Sequence, residues 1–201
     1  MDKNRVEAFS DGVLAVAITL LVLDLHVSAT GEGSLVHQLA QTWPRYVAYL
    51  VSFLVIGVIW VNHHALFSLV ERVDRILLFE NLMLLMFVTT LPFTTSTLAE
   101  FIREGGTDAR WAALLYGISN IGMSVAFTAM LSRMVHHGLL VHPVSAEVGA
   151  RAVRRFGLGI IAYPVATVAG LVWPPLILAA LAVLATYYMF EQTQILPAQQ
   201  R

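Results

Sequence analysis

Long apolar runs, each close to the length of a membrane-crossing helix, dominate the chain. A hydrocarbon core about 30 Å thick needs roughly 20 helical residues. Charged residues separate most of the runs, and Gly170 with the Trp173-Pro174-Pro175 cluster separates the last two. The predicted spans are Val6–Val27, Pro44–Leu66, Ile76–Leu98, Trp111–Leu131, Phe156–Leu171 and Pro175–Tyr188. The pattern therefore predicts an all-α membrane protein, with six transmembrane helices forming a single domain over residues 1–201.

The composition agrees with lipid as the solvent, since 58% of the 201 residues are apolar and only 12% are charged. Soluble domains carry about 25% charged residues. The net charge of −1 gives no reason to expect a nucleic-acid partner, and the absence of cysteine excludes disulfides and thiolate chemistry. No span pairs a nucleophile with a base or carries a phosphate-binding glycine loop. We therefore expect neither an enzyme nor a bound cofactor.

The charges of the loops predict the orientation of the chain. Six spans place both termini and the second and fourth connecting loops on the same side of the membrane. Of the Lys and Arg residues, nine fall on that side and three on the other. The nine are Lys3, Arg5, Arg72, Arg75, Arg133, Arg151, Arg154, Arg155 and Arg201. The positive-inside rule then predicts a multi-pass protein of the cell membrane with both termini in the cytoplasm.

The first span has two distinct faces when each residue advances about 100° around the helix. One face is an apolar stripe with a single hydroxyl, formed by Phe9, Gly12, Val16, Thr19, Leu20 and Leu23. Arg5 continues this stripe toward the cytoplasmic end. Ser10 and Asp11 lie about 120–140° away from it. A helix surrounded by lipid would need neither Asp11 nor this segregation.

Polar side chains inside a span usually face a protein interior or a water path. Ser10-Asp11 is either a helix N-cap at the membrane surface or a pair that faces its own subunit. In the second case, Asp11 would meet polar groups of the second and third spans at the same depth, as helix–helix contacts in lipid require. The candidates are Trp60, His63 and His64 on the second span, and Glu80 and Asn81 on the third.

His63 and His64 are adjacent, so their side chains point about 100° apart and do not suit one metal ion. No metal site is predicted, and the remaining roles are hydrogen bonding or proton sensing. Asp24 lies near the outer end of the first span. It is either an exposed carboxylate at the membrane surface or a cation-attracting group at the mouth of a pore.

Two motifs support a family assignment. Arg5-X3-Phe9-Ser10-Asp11, followed by Gly12 and an apolar helix through Leu23, resembles the first helix of the transmembrane protein 175 family. Trp60-X2-His63-His64-X2-Phe67 resembles the second-helix motif of that family, and Asn81 lies where a polar partner on the third helix is expected. These proteins are potassium channels of lysosomes and endosomes with bacterial homologues. The helical layout extends the resemblance along nearly the whole chain, although the last three spans carry no motif.

The resemblance implies a homotetramer whose first helices line a central pore for potassium and other monovalent cations. By position, Val16 would form the constriction, Leu20 and Leu23 would lie one and two turns outward, and Thr19 would supply a polar layer linked to potassium preference. Isoleucine or leucine is more usual at the position of Val16, so a wider gate and weaker selectivity are expected. The implied network that braces the pore helix consists of Arg5, Ser10, Asp11, Trp60, His63 or His64, and Asn81.

The preferred hypothesis is a potassium-preferring cation channel with a hydrophobic constriction, which needs several copies of the chain around one axis. A Thr-Val-Gly-Tyr-Gly filter is absent. One alternative is a proton-coupled secondary transporter that relays protons through Asp11, Glu80 and His63 or His64, although no inverted repeat is evident. The other is a non-conducting membrane scaffold, in which the stripe is ordinary helix packing.

Overall fold

The computed structural model describes residues 2–26 and 34–190, with Phe190 described only in its backbone. Eight α-helices follow one another in these residues. They are α1 (Lys3–Leu20), α2 (Leu35–Gln41), α3 (Trp43–Ser68), α4 (Arg75–Phe101), α5 (Gly106–His136), α6 (Ala146–Phe156), α7 (Gly159–Val172) and α8 (Pro175–Phe190). The helices begin at residues suited to that position, since Asp2, Ser34, Asp74 and Ser145 each accept a hydrogen bond from a first-turn N–H.

The helices confirm the all-α membrane architecture. In the described residues, five helical segments are long and apolar enough to cross a bilayer, and each overlaps one of the first five predicted spans. The fifth segment, Ala146–Val172, combines α6 and α7. The segment Pro175–Met189 is apolar but shorter than the other five. A sixth crossing by α8 therefore stays a prediction.

The end of the first helix differs from the prediction of a continuous span to Val27, a residue that lies outside the described part. The α-helix ends at Leu20, and a tighter 3-10 turn follows over Leu21–Asp24. Two contacts hold this turn: the Leu25 N–H donates to Val22 O at 3.0 Å, and the Ser96 hydroxyl donates to Asp24 Oδ1 at 2.7 Å. The bond to α4 draws the outer end of the first helix toward its own subunit.

Gly170 does not break the chain, contrary to the prediction. It is helical within α7, and a Cβ at this position would lie 2.9 Å from the Cβ of Ile177. The glycine therefore allows α7 to approach α8 closely. The break is made by the extended backbone of Trp173 and by Pro174, because α8 begins at Pro175.

Helix α5 lies at the centre of the bundle and α1 lies at its edge. Helix α5 packs against α4 and α7, while α1 packs against α3 and α4, and α8 contacts α3 and α7. In the most apolar stretch of α5, 61% of the residues are buried. In the corresponding stretch of the first helix and its 3-10 turn, only 28% of the residues are buried. The first helix thus keeps a large part of its surface free of its own subunit.

At the end of the bundle where α3 and α5 finish, the two connecting loops are joined. The Glu71 N–H donates to Leu139 O at 2.8 Å, and the Val141 N–H donates to Leu69 O at 2.9 Å. Beside this bridge, Arg133 donates to both carboxylate oxygens of Asp74, with a shortest distance of 2.6 Å. This guanidinium, together with the Leu77 N–H, lowers the pKa of the Asp74 carboxyl to about 2. A charged clamp therefore joins α4 to α5.

Replacing Asp74 with Asn keeps an N-cap but removes the charged clamp, so the thermal midpoint of the detergent-solubilised protein should fall by about 2–4 °C at pH 7. The pKa of Asp74 is lower in the folded chain than in the unfolded one. The stabilisation by the clamp is therefore complete above about pH 4 and disappears as the pH falls toward 2. The difference between wild type and variant should shrink over that range, as measured by fluorescence-detected thermal unfolding.

Asp108→Asn, at an exposed position in the first turn of α5, is the matched control. It should leave the midpoint and its pH dependence close to those of the wild type. A difference between wild type and Asp74→Asn that is constant from pH 7 to pH 2 would contradict the role of the clamp.

Candidate functional site

Helix α1 presents one face to its own subunit and the other away from it. The buried face consists of Val6, Ser10, Leu14, Ala17 and, in the 3-10 turn, Leu21. The opposite face is the apolar stripe, and all six of its residues are exposed: Phe9, Gly12, Val16, Thr19, Leu20 and Leu23. Val16 is 57% exposed and Leu23 is 71% exposed. One chain by itself therefore provides no cover for the stripe.

The buried face of α1 is fastened to two other helices by a chain of hydrogen bonds. The Asn81 amide on α4 donates to the Ser10 hydroxyl at 2.9 Å, and its carbonyl oxygen accepts from His63 Nε2 on α3 at 2.9 Å. The Ser10 hydroxyl in turn donates to Val6 O at 2.9 Å. All three side chains are almost fully buried. The NH2 group of Asn81 donates to Ser10, and its carbonyl oxygen can only accept a hydrogen bond. His63 must therefore be the donor in the bond to that oxygen, so Nε2 of its imidazole carries a proton.

Two further contacts join α1 to α3 at the edge of this network. The indole Nε1 of Trp60 donates to Asp11 Oδ1 at 3.0 Å. His64 Nδ1 lies 2.7 Å from Glu7 Oε1, with 62% of the histidine side chain exposed. His63 and His64 therefore point to different helices, as their angular separation predicts. The structure brings together Ser10, His63 and Asn81 in one group, and Asp11 with Trp60 in another.

Glu7 was not singled out in the sequence, although it lies inside the first predicted span. The signal was available: Glu7 and Asp11 are four residues apart and so share a helix face. Both carboxylates meet α3 at the residues of its Trp-X2-His-His motif. Carboxylates repeated at this spacing therefore indicated which side of α1 faces α3.

The structure corrects three expectations about this region. Ser10-Asp11 is not an N-cap, because Asp2 caps α1 and places Ser10 two turns inside the helix. The contact with the third span runs through Ser10, whereas the hydrogen bond of Asp11 goes to Trp60 on the second. Glu80 does not join them: the charged groups that act on it are Arg133, Asp74 and His137.

The surroundings of two other predicted residues, Arg5 and Asp24, do not by themselves assign a role to them. Arg5 is exposed on the stripe side of α1 and forms no hydrogen bond with a residue in the described part of the chain. Asp24 is half-buried and accepts the hydroxyl proton of Ser96, so it is not a freely exposed carboxylate. Its position at the outer end of the stripe is the one a pore-mouth carboxylate needs, and that role stays a prediction.

A second polar cluster, absent from the sequence analysis, lies inside the bundle. The Ser52 hydroxyl lies 2.7 Å from Thr95 Oγ1 and 2.8 Å from the hydroxyl of Tyr116, which is completely buried. These residues join α3, α4 and α5 in the interior of one subunit. The run of threonines in residues 89–97 was its only signal in the sequence. Because hydroxyls partner one another here and do not face the stripe, we assign them to packing.

The comparisons with known proteins agree on one family. The family model for the endosomal/lysosomal potassium channel TMEM175 matches residues 5–92. A potassium channel of Streptomyces collinus is 48% identical over 96% of this chain and 95% of its own length. The crystal structure of a lysosomal potassium-selective channel TMEM175 homolog from Chamaesiphon minutus matches with a TM-score of 0.81 and 35% identity, over 93% of this chain and 96% of that one.

A relative that matches over a shorter stretch carries a different name. The human endosomal/lysosomal proton channel TMEM175 is 40% identical over 113 residues, which are 52% of this chain and 22% of the human protein. The similarity to the human protein therefore covers a limited part of it.

Replacing Asn81 with Leu should destabilise the protein strongly, because it leaves the buried groups of Ser10 and His63 without their partner. A lost partner of this kind costs about 1–3 kcal/mol, or roughly 2–10 °C in the thermal midpoint of a chain of this size. Fluorescence-detected thermal unfolding in detergent measures the shift.

Asn62→Leu is the matched control, since Asn62 is also buried but, within the described part of the chain, donates only to Val58 O of its own helix at 2.9 Å. It should lower the midpoint by less than half as much. Equal effects of the two substitutions would show that the link between helices adds nothing to stability.

Proposed function

Because this chain belongs to the family of the endosomal/lysosomal potassium channel TMEM175, we propose that it is a potassium-preferring cation channel of the cell membrane. Two of its relatives, from Streptomyces collinus and Chamaesiphon minutus, are named as potassium channels. Because the human relative is named as a proton channel, proton permeation should be tested as well.

The pore is a property of several chains. One subunit offers one exposed stripe, so a water-filled path needs copies of α1 arranged around an axis. We propose a homotetramer in which each chain turns Val16, Leu20 and Leu23 toward that axis. The observation that carries the proposal is that the stripe is exposed along its whole length while the opposite face of α1 is held by α3 and α4.

In an apolar ring of this kind, the diameter of the ring and its hydration limit the flow of ions. A cation crosses such a constriction only when the ring is wide enough to hold water. The Thr19 hydroxyl donates its proton to Val16 O of its own helix at 2.9 Å. Its oxygen therefore keeps lone pairs that can face a passing cation, which suits the polar layer that we propose directly outward of Val16.

We propose that the buried hydrogen bonds hold α1 in the rotation that turns the stripe toward the axis. A rotation of α1 by one residue, about 100°, would break the bond between Ser10 and Asn81 and bury part of the stripe. Asp11 with Trp60, and Glu7 with His64, resist the same rotation from the side of α3. We propose that this network braces the pore helix. Arg5, at the cytoplasmic end of the stripe, would meet another copy of the chain.

The transporter alternative has less support. Its relay requires Glu80 to share a path with Asp11 and with His63 or His64. The charges that act on His63 belong to Asp11, Glu7 and His64, whereas those that act on Glu80 belong to Arg133, Asp74 and His137. The carboxylates of Asp11 and Glu80 thus belong to different clusters of charged residues. We further propose that residues 1–201 form one channel domain with six crossings and both termini in the cytoplasm.

Purified protein in planar bilayers should conduct potassium, and replacing Val16 or Leu20 with Asn should raise the single-channel conductance at least about two-fold, since a polar ring wets more easily. Val168→Asn is the matched control, because Val168 on α7 is 61% exposed and Val16 is 57% exposed. It should leave the unit conductance unchanged. Absence of a potassium current, or equal conductance of all three variants and wild type, would exclude the proposed constriction.

Replacing Val16 with Ile adds one methylene at the proposed narrowest point. The larger ring should lower the conductance and increase the preference for potassium over sodium by several-fold. Reversal potentials under bi-ionic conditions measure that preference, and Val168→Ile serves as the control. A selectivity that is identical in Val16→Ile and wild type would place the narrowest point elsewhere.

A further inference from the structure

Helix α6 carries two arginines on its exposed side, directly before the exposed apolar residues at the start of α7. Arg151 and Arg154 are exposed, and Leu158 and Ile161 follow them on the chain at 43% and 67% exposure. The turn between the helices keeps helical bonds, since the Gly157 N–H donates to Val153 O at 2.8 Å and the Ile161 N–H to Leu158 O at 3.1 Å. At 1.5 Å rise per residue, the Cα atoms of the two arginines lie about 6–10 Å along the helix axis from that of Leu158.

This segment is fixed to the bundle and does not swing freely. A Cβ on Gly149 would overlap Val135 Cγ1, so glycine at this position lets α6 lie close to the last turns of α5. At the other end of α6, the rings of Phe156 and Phe127 stack with their centroids 5.5 Å apart. The two arginines are therefore held in a fixed position relative to the bundle, directly before the apolar helix α7.

The charges of the two arginines are largely available to a ligand. Among the residues that the structure describes, Arg151 has one partner, Glu147 Oε1 at 3.2 Å, and the two side chains are 62% and 85% exposed. An exposed pair of this kind contributes little and is easily exchanged. Arg154 forms no ion pair with a residue in the described ranges 2–26 and 34–190. Two guanidinium groups three residues apart on one helix face can hold a single phosphate.

We propose that Arg151 and Arg154 form a binding site for the phosphate of an anionic phospholipid, whose acyl chains lie against Leu158 and Ile161. The site combines the two features that such a lipid requires, a pair of planar cationic donors and an apolar surface directly below them. A zwitterionic lipid fits the apolar part but brings a compensating positive charge. The site therefore distinguishes lipids by headgroup charge.

Native mass spectrometry of the full chain in detergent tests the site, with phosphatidylglycerol and phosphatidylcholine of matched acyl chains supplied in equal amounts. Wild type should retain phosphatidylglycerol preferentially. Arg151→Gln and Arg154→Gln should each lower that preference about five-fold, the effect of one basic residue near an anionic surface. Glu147→Gln should raise it, because the substitution removes the competing carboxylate. Arg110→Gln, an exposed arginine near the start of α5, is the matched control and should change nothing.

A gain from Glu147→Gln together with losses from the two arginine substitutions supports the site, because a purely structural role of α6 would not reverse the sign. Equal retention of the two lipids by wild type would overturn the proposal. An equal loss in Arg110→Gln would do the same. Displacement of phosphatidylglycerol by an equimolar amount of soluble glycerol phosphate would assign the arginines to a free anion and also overturn it.

Discussion

The hydrogen-bonded chain from Ser10 through Asn81 to His63 is the constraint on which the rest of the account depends. In a bilayer, helices gain little from burying apolar surface against one another, because lipid is equally apolar. A buried polar group without a partner, by contrast, is costly. The hydrogen bonds that join the three side chains form only when α1 has one rotation about its own axis. That rotation leaves the stripe on the outside of the subunit.

The same reasoning explains why the exposed stripe is not sufficient evidence of a pore. Helix α7 also exposes large apolar residues, among them Ile161, Val165 and Val168, and lipid alone accounts for those. The first helix differs because its stripe includes Gly12 and Thr19, and because Arg5 continues it without a partner in the described part of the chain. Membership in a family of channels is the reason why we propose that other copies of the chain, and not lipid, cover this stripe.

Much of the fold could be predicted from the sequence, because membrane spans follow from length and hydropathy. The two faces of α1 also followed, since helical period alone separates Ser10 from Val16. The hydrogen-bond partners within the polar region could not be predicted in this way. Residue spacing in the sequence does not specify how the helices are rotated about their axes. These rotations decide whether Asp11 meets Trp60 or a group on α4. They also decide whether His63 or His64 reaches Asn81. Gly170 was misread because glycine serves both close packing and chain breaks, and only the contact with Ile177 distinguishes them.

The central claim is that copies of α1 surround a common axis with Val16 facing it. The chain contains no cysteine, so a single introduced cysteine reports on its own surroundings. In membranes treated with a mild oxidant, Val16→Cys should form disulfide-linked dimers that a reductant separates. Val168→Cys, at a similar exposure on α7, should remain monomeric. Monomers for Val16→Cys together with dimers for Val168→Cys would contradict the account, because the chains would then meet through the opposite side of the bundle.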